Sequence, residues 1–200
     1  MGEKPRLLVA GGIYHVTNRG NNRADIFRDD IDYAVFLRLF AKVVASFGWR
    51  CHAYCLIPNH YHLLIDTPEP NLARGMRILN GTYAQRFNGR HSRVGHVFQG
   101  PYAAGLIETD RHLLETARSI ALNPVRAGLC DRPEEWPWSS YAGTVGAQEA
   151  PSFLETETLL ALFDGAEGFK AFVLADRGER QRPGQDQVAG RGWQRAGDGW

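Results

Sequence analysis

The order in which strand-like and helix-like segments follow one another leaves few folds open to this chain of 200 residues. Strands are predicted where β-branched and aromatic residues cluster between glycine, proline and asparagine, and helices where apolar residues recur every three or four positions. The order β-α-β-β-α-β-α begins with the six elements of the ferredoxin-like α+β fold, βαββαβ. It predicts a four-stranded antiparallel sheet with two helices on one face, leaving the other face for a third helix or a ligand. The predicted strands are 13–17, 49–57, 60–66 and 102–108, and the predicted helices are about 31–47, 72–88 and 110–123.

Three residues set the predicted ends of the second and third helices. Asn71 and Asp110 are predicted N-caps, because a short polar side chain can accept a hydrogen bond from the first free backbone N–H groups of a helix. Pro124 disfavours helical geometry in the residue before it, so the third helix is expected to finish near Asn123.

Residues 1–150 are predicted to form one domain, followed by a short helical extension, 151–177, and a tail, 178–200. The extension is expected to hold a helix over 153–163, and Trp136 and Trp138 are expected to pack this C-terminal part onto the core. Six glycines and a single branched aliphatic residue predict a disordered tail.

No apolar run reaches the roughly 20 residues of a membrane helix. Three cysteines, an odd number, favour a reducing cytoplasm over a disulfide framework.

Charge is distributed unevenly, although the formal net charge is only +1. A local basic surface suits an anionic partner such as nucleic acid, and a solvated helix face without a partner is the alternative. No Asp or Glu occurs from Pro70 to Ile107, whereas this stretch carries Arg74, Arg77, Arg86, Arg90, Arg93, His91 and His96.

Two histidines one residue apart, His60 and His62, begin the predicted third strand. Residues i and i+2 of a strand project from the same face, about 7 Å apart, so both imidazoles can reach one divalent cation. Tyr61 is expected to point to the opposite face. Two unrelated polar side chains on a half-exposed strand remain the alternative explanation.

The third helix offers a further ligand to the same cation. Ser119 and Asn123 are four residues apart and share one helix face, at the edge of the buried stripe. The amide of Asn123 supplies a carbonyl oxygen. Two imidazoles and an amide oxygen fit Mn²⁺ or Mg²⁺ with water completing the shell, and the imidazoles also admit Zn²⁺, Co²⁺ or Ni²⁺.

Five segments between residues 11 and 142 follow a family pattern in order and spacing. They read GGIYHVTNRGNNR from Gly11, HAYCLIPNHYHLL from His52, GHVFQG from Gly95, LNPVRAGL from Leu122 and WPWSSY from Trp136. With these segments the chain resembles the HUH-type single-tyrosine transposases, in particular the REP-associated tyrosine transposases of bacteria.

The resemblance implies a protein that binds single-stranded hairpin DNA from a repeated palindrome. In the family, two histidines hold a divalent cation, Mg²⁺ or Mn²⁺, against the scissile phosphate, and a tyrosine of the third helix attacks it. The products are a 5′-phosphotyrosine link and a free 3′-hydroxyl. By this resemblance the metal ligands here are His60, His62 and Asn123.

At the position of the family's nucleophilic tyrosine this chain carries Ser119. A serine is several ångströms shorter than a tyrosine and its hydroxyl is far less acidic than a phenol, whose pKa is about 10. Three interpretations follow: cleavage is lost while DNA and metal binding remain, the serine is a substituted allele of an active enzyme, or another residue such as a different tyrosine attacks.

Seven arginines are candidate phosphate contacts: Arg19, Arg23, Arg74, Arg77, Arg86, Arg90 and Arg126. For His15 a structural or DNA-contacting role is favoured over metal ligation.

A monomer is slightly favoured over a homodimer that exchanges the third helix, because the short link to that helix suits docking on its own sheet. The rival functions are a non-catalytic DNA- or RNA-binding module and a metal-dependent hydrolase that uses activated water.

Overall fold

The computed structural model describes residues 9–175 and the backbone of residues 194–195. The predicted order of seven elements is confirmed. Short helices follow at Tyr141–Thr144 (α4), Glu157–Leu160 (α5) and Gly165–Ala175 (α6). Within the described ranges no helix is long and apolar enough to cross a membrane. The main elements are β1 (Gly12–Arg19), α1 (Asp30–Phe47), β2 (Arg50–Ile57), β3 (His60–Thr67), α2 (Leu72–Arg90), β4 (Ala103–Leu106) and α3 (Asp110–Arg126).

The four strands form the predicted antiparallel sheet in the order β2-β3-β1-β4. β2 and β3 are a hairpin whose turn is Pro58–Asn59, with Ile57 opposite His60. A two-residue strand, Gln194–Arg195 (β5), pairs with the outer side of β4. These two residues belong to the tail for which disorder was predicted, and the rest of that tail lies outside the described residues.

The two faces of the sheet carry separate apolar cores. One face buries Val16, Leu63 and Ile65 against α1 and α2, as the fold class predicts for its two helices. The other face buries Cys55 and Leu64 against α3 and α6. Because side chains alternate along a strand, neighbouring residues of β3 belong to different cores. The third helix therefore covers the face that the sequence left open.

The segment that begins at Trp136 covers the outer edge of β2. The backbone N–H of Leu56 donates to the carbonyl of Trp138 over 2.9 Å, and the N–H of Ser140 donates to the carbonyl of Tyr54 over 2.9 Å. The Trp136 indole N–H donates to the carbonyl of Leu56 over 2.8 Å. These bonds satisfy backbone groups that an open edge strand would expose. The interpretation of Trp136 and Trp138 as packing residues agrees with these contacts.

The predicted boundaries of α3 were wrong at both ends. Thr109, not Asp110, is the N-cap, and its Oγ1 accepts from the N–H of His112 over 3.1 Å. At the other end the helix continues through Pro124 to Arg126. A proline inside a helix removes one backbone hydrogen bond. Burial of Ala121, Leu122 and Pro124 holds the last turn in place. Asn123 consequently lies within the helix rather than at its end.

Two further local predictions were wrong. Asn71 precedes α2, but its side chain does not cap the helix: Oδ1 accepts from the Trp49 indole over 2.6 Å, and Nδ2 donates to the carbonyl of Phe47 over 3.3 Å. The helix expected over 153–163 is reduced to α5, and α6 was not predicted. Phe169 and Val173 of α6 are buried in the core beneath α3, so packing against α3 supports this segment.

Candidate functional site

His60 and His62 project from the face of the sheet that α3 covers. Their ring centroids are 5.0 Å apart. Tyr61, between them, is fully buried on the opposite face, where its ring packs 4.9 Å from that of Phe36 and its hydroxyl donates to Asn80 over 2.8 Å. The predicted alternation is therefore confirmed: both histidines lie on one face of the sheet and Tyr61 lies on the other. The two imidazoles are half-buried and adjacent.

Asn123 brings the last turn of α3 to the second of these histidines. Its Nδ2 lies 3.3 Å from Nε2 of His62. Its Oδ1 is buried and has no hydrogen-bond partner among the described residues. An orphaned buried acceptor is costly unless something pairs with it. Beside two imidazoles, this oxygen is suited to a cation.

The outer ring nitrogens of both histidines are occupied by protein groups. Nδ1 of His60 lies 2.7 Å from Oδ1 of Asn59, whose Nδ2 donates to the carbonyl of Arg23 over 3.4 Å. Nδ1 of His62 lies 2.9 Å from Nε2 of His15 on β1, and the two rings are stacked with centroids 5.1 Å apart. His15 and Asn59 thus contact the Nδ1 atoms of the two candidate ligands.

Burial keeps this histidine cluster neutral. Loss of hydration, reinforced by the charge of Arg19, lowers the pKa of His60 to about 4. Loss of hydration, with a contribution from His112, lowers the pKa of His15 to about 3. The pKa of His62 is held well below its ordinary value by burial and by the neighbouring histidines. Neutral imidazole is the form that binds metals, so the rings are ready for a cation at neutral pH.

The donor set fits a divalent cation only if Asn123 takes part. In the described part of the chain, no three side chains drawn from His, Cys, Asp and Glu are grouped to hold a metal ion. Two neutral imidazoles and the unpaired amide oxygen of Asn123 would leave further coordination positions to water or phosphate oxygens, as Mg²⁺ and Mn²⁺ require.

A groove of about 240 Å³ opens beside the two histidines. Hydrogen bonds to backbone carbonyls fix its walls: the backbone N–H of Gln99 donates to the carbonyl of Arg19 over 2.9 Å, and the side-chain Nδ2 of Asn18 donates to the carbonyl of Gly100 over 3.4 Å. Arg19 is exposed and lies opposite His60 in the β1–β3 register. The groove is lined by Thr17, Asn18, Arg19, His60, His62, Gln99, Gly100, Pro101 and Ala103.

Ser119 is exposed on α3, one helical turn before Asn123, and its Oγ accepts from Nη1 of Arg126 over 3.2 Å. All seven tyrosines of the chain lie in the described region, and none is more than 6% exposed. A buried phenol in a packed core cannot reach a groove without unfolding its surroundings. The tyrosines are Tyr14, Tyr33, Tyr54, Tyr61, Tyr83, Tyr102 and Tyr141.

The seven candidate arginines fall into two groups. Arg19 lines the groove, Arg23 lies in the turn after β1, and Arg126 contacts Ser119. By contrast, Arg90 forms ion pairs with Asp29 and Asp32 at the start of α1. The remaining three lie on the exposed side of α2, which packs on the opposite face of the sheet from His60 and His62: Arg74, Arg77 and Arg86.

Three residues that contact or line this region are not singled out by the sequence as part of the site. The sequence favours a structural or DNA-contacting role for His15, and the contact of His15 with His62 depends on the pairing of β1 with β3. Asn59 directly precedes His60, which was an available signal. Gln99 has no distinguishing local pattern, and it is brought to the groove by the bridge between Gly20 and Phe98 and by its own bond to Arg19.

Comparison with known proteins gives three findings. The model of the family described as "Transposase IS200 like" matches residues 9–118. A Haemophilus influenzae protein described as a REP-associated tyrosine transposase is 25% identical over 157 residues, covering 73% of this chain and 89% of that protein. A solved structure of a REP-associated tyrosine transposase bound to a REP hairpin matches with a TM-score of 0.63 and 19% identity. It covers 78% of this chain and 92% of that chain, and it shows a shared fold.

Proposed function

Because this chain belongs to the IS200-like transposase family, we propose that it binds single-stranded hairpin DNA from a repeated palindrome in the groove beside His60 and His62. The observation that carries this proposal is the meeting of β3 and α3: Asn123 lies 3.3 Å from His62, and His62 lines a groove together with Arg19. The structural relative bound to a REP hairpin supports the choice of DNA.

Binding depends on phosphate contacts from exposed polar and basic groups of the groove. Arg19 and Gln99 are both exposed there. Arginine neutralises phosphate and fixes the register of a strand, whereas base identity is read by other contacts. Arg23 and Arg126 extend this basic border towards the turn after β1 and towards α3. Arg90 is outside it, because its guanidinium is engaged by Asp29 and Asp32.

His60, His62 and Asn123 would hold Mg²⁺ or Mn²⁺ at this groove. When bound, such a cation supplies Lewis-acid polarisation of a phosphoryl oxygen. The protein's own contribution is to present two neutral imidazoles and a buried amide oxygen. The position of α3 across β2 and β3 fixes the amide relative to the rings.

Ser119 leaves the site without the family's nucleophile, so the protein binds hairpin DNA without forming a covalent link to it. The serine hydroxyl stays close to the helix and is tied to Arg126. Burial of all seven tyrosines argues against a substitute attacking group. Burial also raises the pKa of Tyr33, Tyr54, Tyr61 and Tyr83, which opposes formation of a phenolate. The chain therefore acts as a transposase-like DNA-binding protein.

One chain is sufficient to form the site. α3 packs on β2 and β3 of the same chain, with Leu113, Ala117 and Ile120 buried against Cys55 and Leu64. Asn123 consequently reaches His62 without exchange of a helix between subunits. The protein is therefore proposed to bind DNA as a monomer.

Removal of one groove arginine tests the location of the DNA. Arg19→Ala is expected to weaken binding of a labelled DNA hairpin several-fold and to lower the slope of log affinity against log salt by about 1. Arg74→Ala, a matched arginine on α2, is expected to leave the affinity within about twofold, since it lies across the sheet. Titration by fluorescence anisotropy at several salt concentrations measures both effects.

Three outcomes contradict the proposal. No hairpin binding by the unchanged protein at moderate salt excludes nucleic-acid binding as its function. A larger loss in Arg74→Ala than in Arg19→Ala places the DNA on the face of α2. Equal competition by an RNA hairpin of the same sequence favours the alternative, a general nucleic-acid-binding module.

A further inference from the structure

We propose that His15 is a positioning residue that determines which ring nitrogen of His62 faces the candidate cation. The inference rests on the proposed role of His62 as a ligand. It concerns a residue of the neighbouring strand that is not itself in the donor set. His15 would accept a hydrogen bond from the Nδ1–H group of His62. It would therefore influence the candidate cation only through His62.

The geometry of the contact is specific. Nε2 of His15 lies 2.9 Å from Nδ1 of His62, and the rings stack at an interplanar angle of 27°. His15 is only 8% exposed, so packing fixes its ring. On β1 it pairs with Leu64, the residue two positions beyond His62, so the contact runs diagonally across the two strands. The antiparallel register therefore places the two rings together.

The positions of the hydrogen-bonding groups choose between the two neutral forms of His62. Nε2 of this ring faces the Asn123 amide at 3.3 Å. A nitrogen that accepts from the amide, or that binds a cation, must carry a lone pair. In neutral imidazole the proton then resides on Nδ1. His62 consequently donates from Nδ1, and His15 accepts at Nε2.

His60 is held in the same form by a different residue. Nδ2 of Asn59 donates to the carbonyl of Arg23, so Oδ1 is the oxygen that faces Nδ1 of His60 at 2.7 Å. An oxygen acceptor requires a proton on that ring nitrogen. Both histidines are therefore bordered by an acceptor on the Nδ1 side, so both carry their lone pair on Nε2, which in His62 is the nitrogen that faces the Asn123 amide. His15 and Asn59 therefore form an outer layer of the site, in which each residue fixes the protonated nitrogen of one candidate ligand.

Groups behind metal-ligating histidines fix the ring and its protonation, and their loss commonly weakens metal binding by 10–100-fold. His15→Phe keeps a ring for stacking but removes the acceptor. His15→Gln removes the ring but keeps an oxygen acceptor on a flexible side chain. If hydrogen-bond acceptance is what matters, the glutamine variant should preserve more of the site than the phenylalanine variant.

The test uses the full chain with ¹⁵N-labelled histidine. In the metal-free protein, ring-nitrogen NMR is expected to show His62 protonated at Nδ1, with His15→Phe shifting it towards a mixture of the two forms. Calorimetric titration with Mn²⁺ is expected to show at least a tenfold weaker affinity for His15→Phe and a loss of less than about threefold for His15→Gln. The NMR readout does not depend on activity or on the cation.

A second buried imidazole provides the matched control. His52 pairs with Glu155 away from the groove, so His52→Phe should lower stability without changing the ring signals of His62. Protonation of His62 at Nε2 in the unchanged protein overturns the proposal, as does an unchanged Mn²⁺ affinity in His15→Phe. Failure of the unchanged protein to bind Mn²⁺ overturns the metal part of the proposed function, whereas the NMR result still decides the role of His15.

Discussion

Ser119→Tyr is expected to convert a protein that binds hairpin DNA without cutting it into one that forms a covalent adduct in the presence of Mn²⁺. The position is exposed on α3, one turn before Asn123, so a tyrosine ring has room to extend towards the groove. A phenol is both longer and more acidic than the serine hydroxyl. Attack on the phosphorus forms a phosphotyrosine ester, and the departing 3′-oxygen takes up a proton.

The measurement is a denaturing gel of hairpin DNA labelled on the strand that would remain attached to the protein. Ser119→Phe is the control, because phenylalanine has nearly the same bulk as tyrosine but lacks the hydroxyl. The unchanged protein and Ser119→Phe are both expected to give no adduct. An adduct with Ser119→Phe would show that another residue attacks, and an adduct with the unchanged protein alone would show that the Ser119 hydroxyl attacks. Cleaved free ends without an adduct would show that water does. No adduct with Ser119→Tyr, despite hairpin binding, contradicts the assigned position of the nucleophile.

Acid is expected to destabilise this protein well above the pH at which carboxylates titrate. Burial lowers the pKa of His15 to about 3 and of His60 to about 4, and it also lowers the pKa of His62 and His52. In the unfolded chain each imidazole has a pKa of about 6.5. The folded state therefore binds fewer protons. The stability from neutral histidine is complete above pH 6.5 and is lost as the pH falls towards the folded values.

Urea unfolding at pH 7, 6 and 5 measures the effect. Each of these imidazoles is expected to reduce the free energy of unfolding at pH 5 by on the order of 1 kcal/mol relative to pH 7. His60→Gln should remove one histidine's share of this decrease, whatever its effect on stability at pH 7. Equal free energies of unfolding at pH 7 and pH 5 would contradict the burial of neutral histidines in the sheet.

The fold and the centre of the site could be predicted because they depend on local patterns. The strand alternation of His60, Tyr61 and His62 decides which side chains share a face, and the Pro58–Asn59 turn decides which strands pair. Spacing along α3 likewise placed Asn123 on the side of Ser119. These features need only a period of two or of 3.6 residues to be read.

The remaining features depend on contacts between segments distant in sequence. Pro124 stays helical because its turn is buried, which no local rule reveals. In the sequence Arg90 resembles a DNA contact, but in the fold it forms ion pairs with Asp29 and Asp32 at the start of α1. The contact between His15 and His62 exists only in one register of β1 and β3. Tertiary packing decided each of these cases against, or independently of, the local signal.

The convergence of His60, His62 and Asn123 on one cation is the claim on which the proposed chemistry depends. Pulsed electron paramagnetic resonance of bound Mn²⁺, with ¹⁵N-labelled histidine, tests it directly. The spectrum of the unchanged protein is expected to show coupling to two imidazole nitrogens, and that of His60→Gln to only one. Bound Mn²⁺ without imidazole coupling, or no binding of Mn²⁺ at millimolar concentration, would contradict the claim.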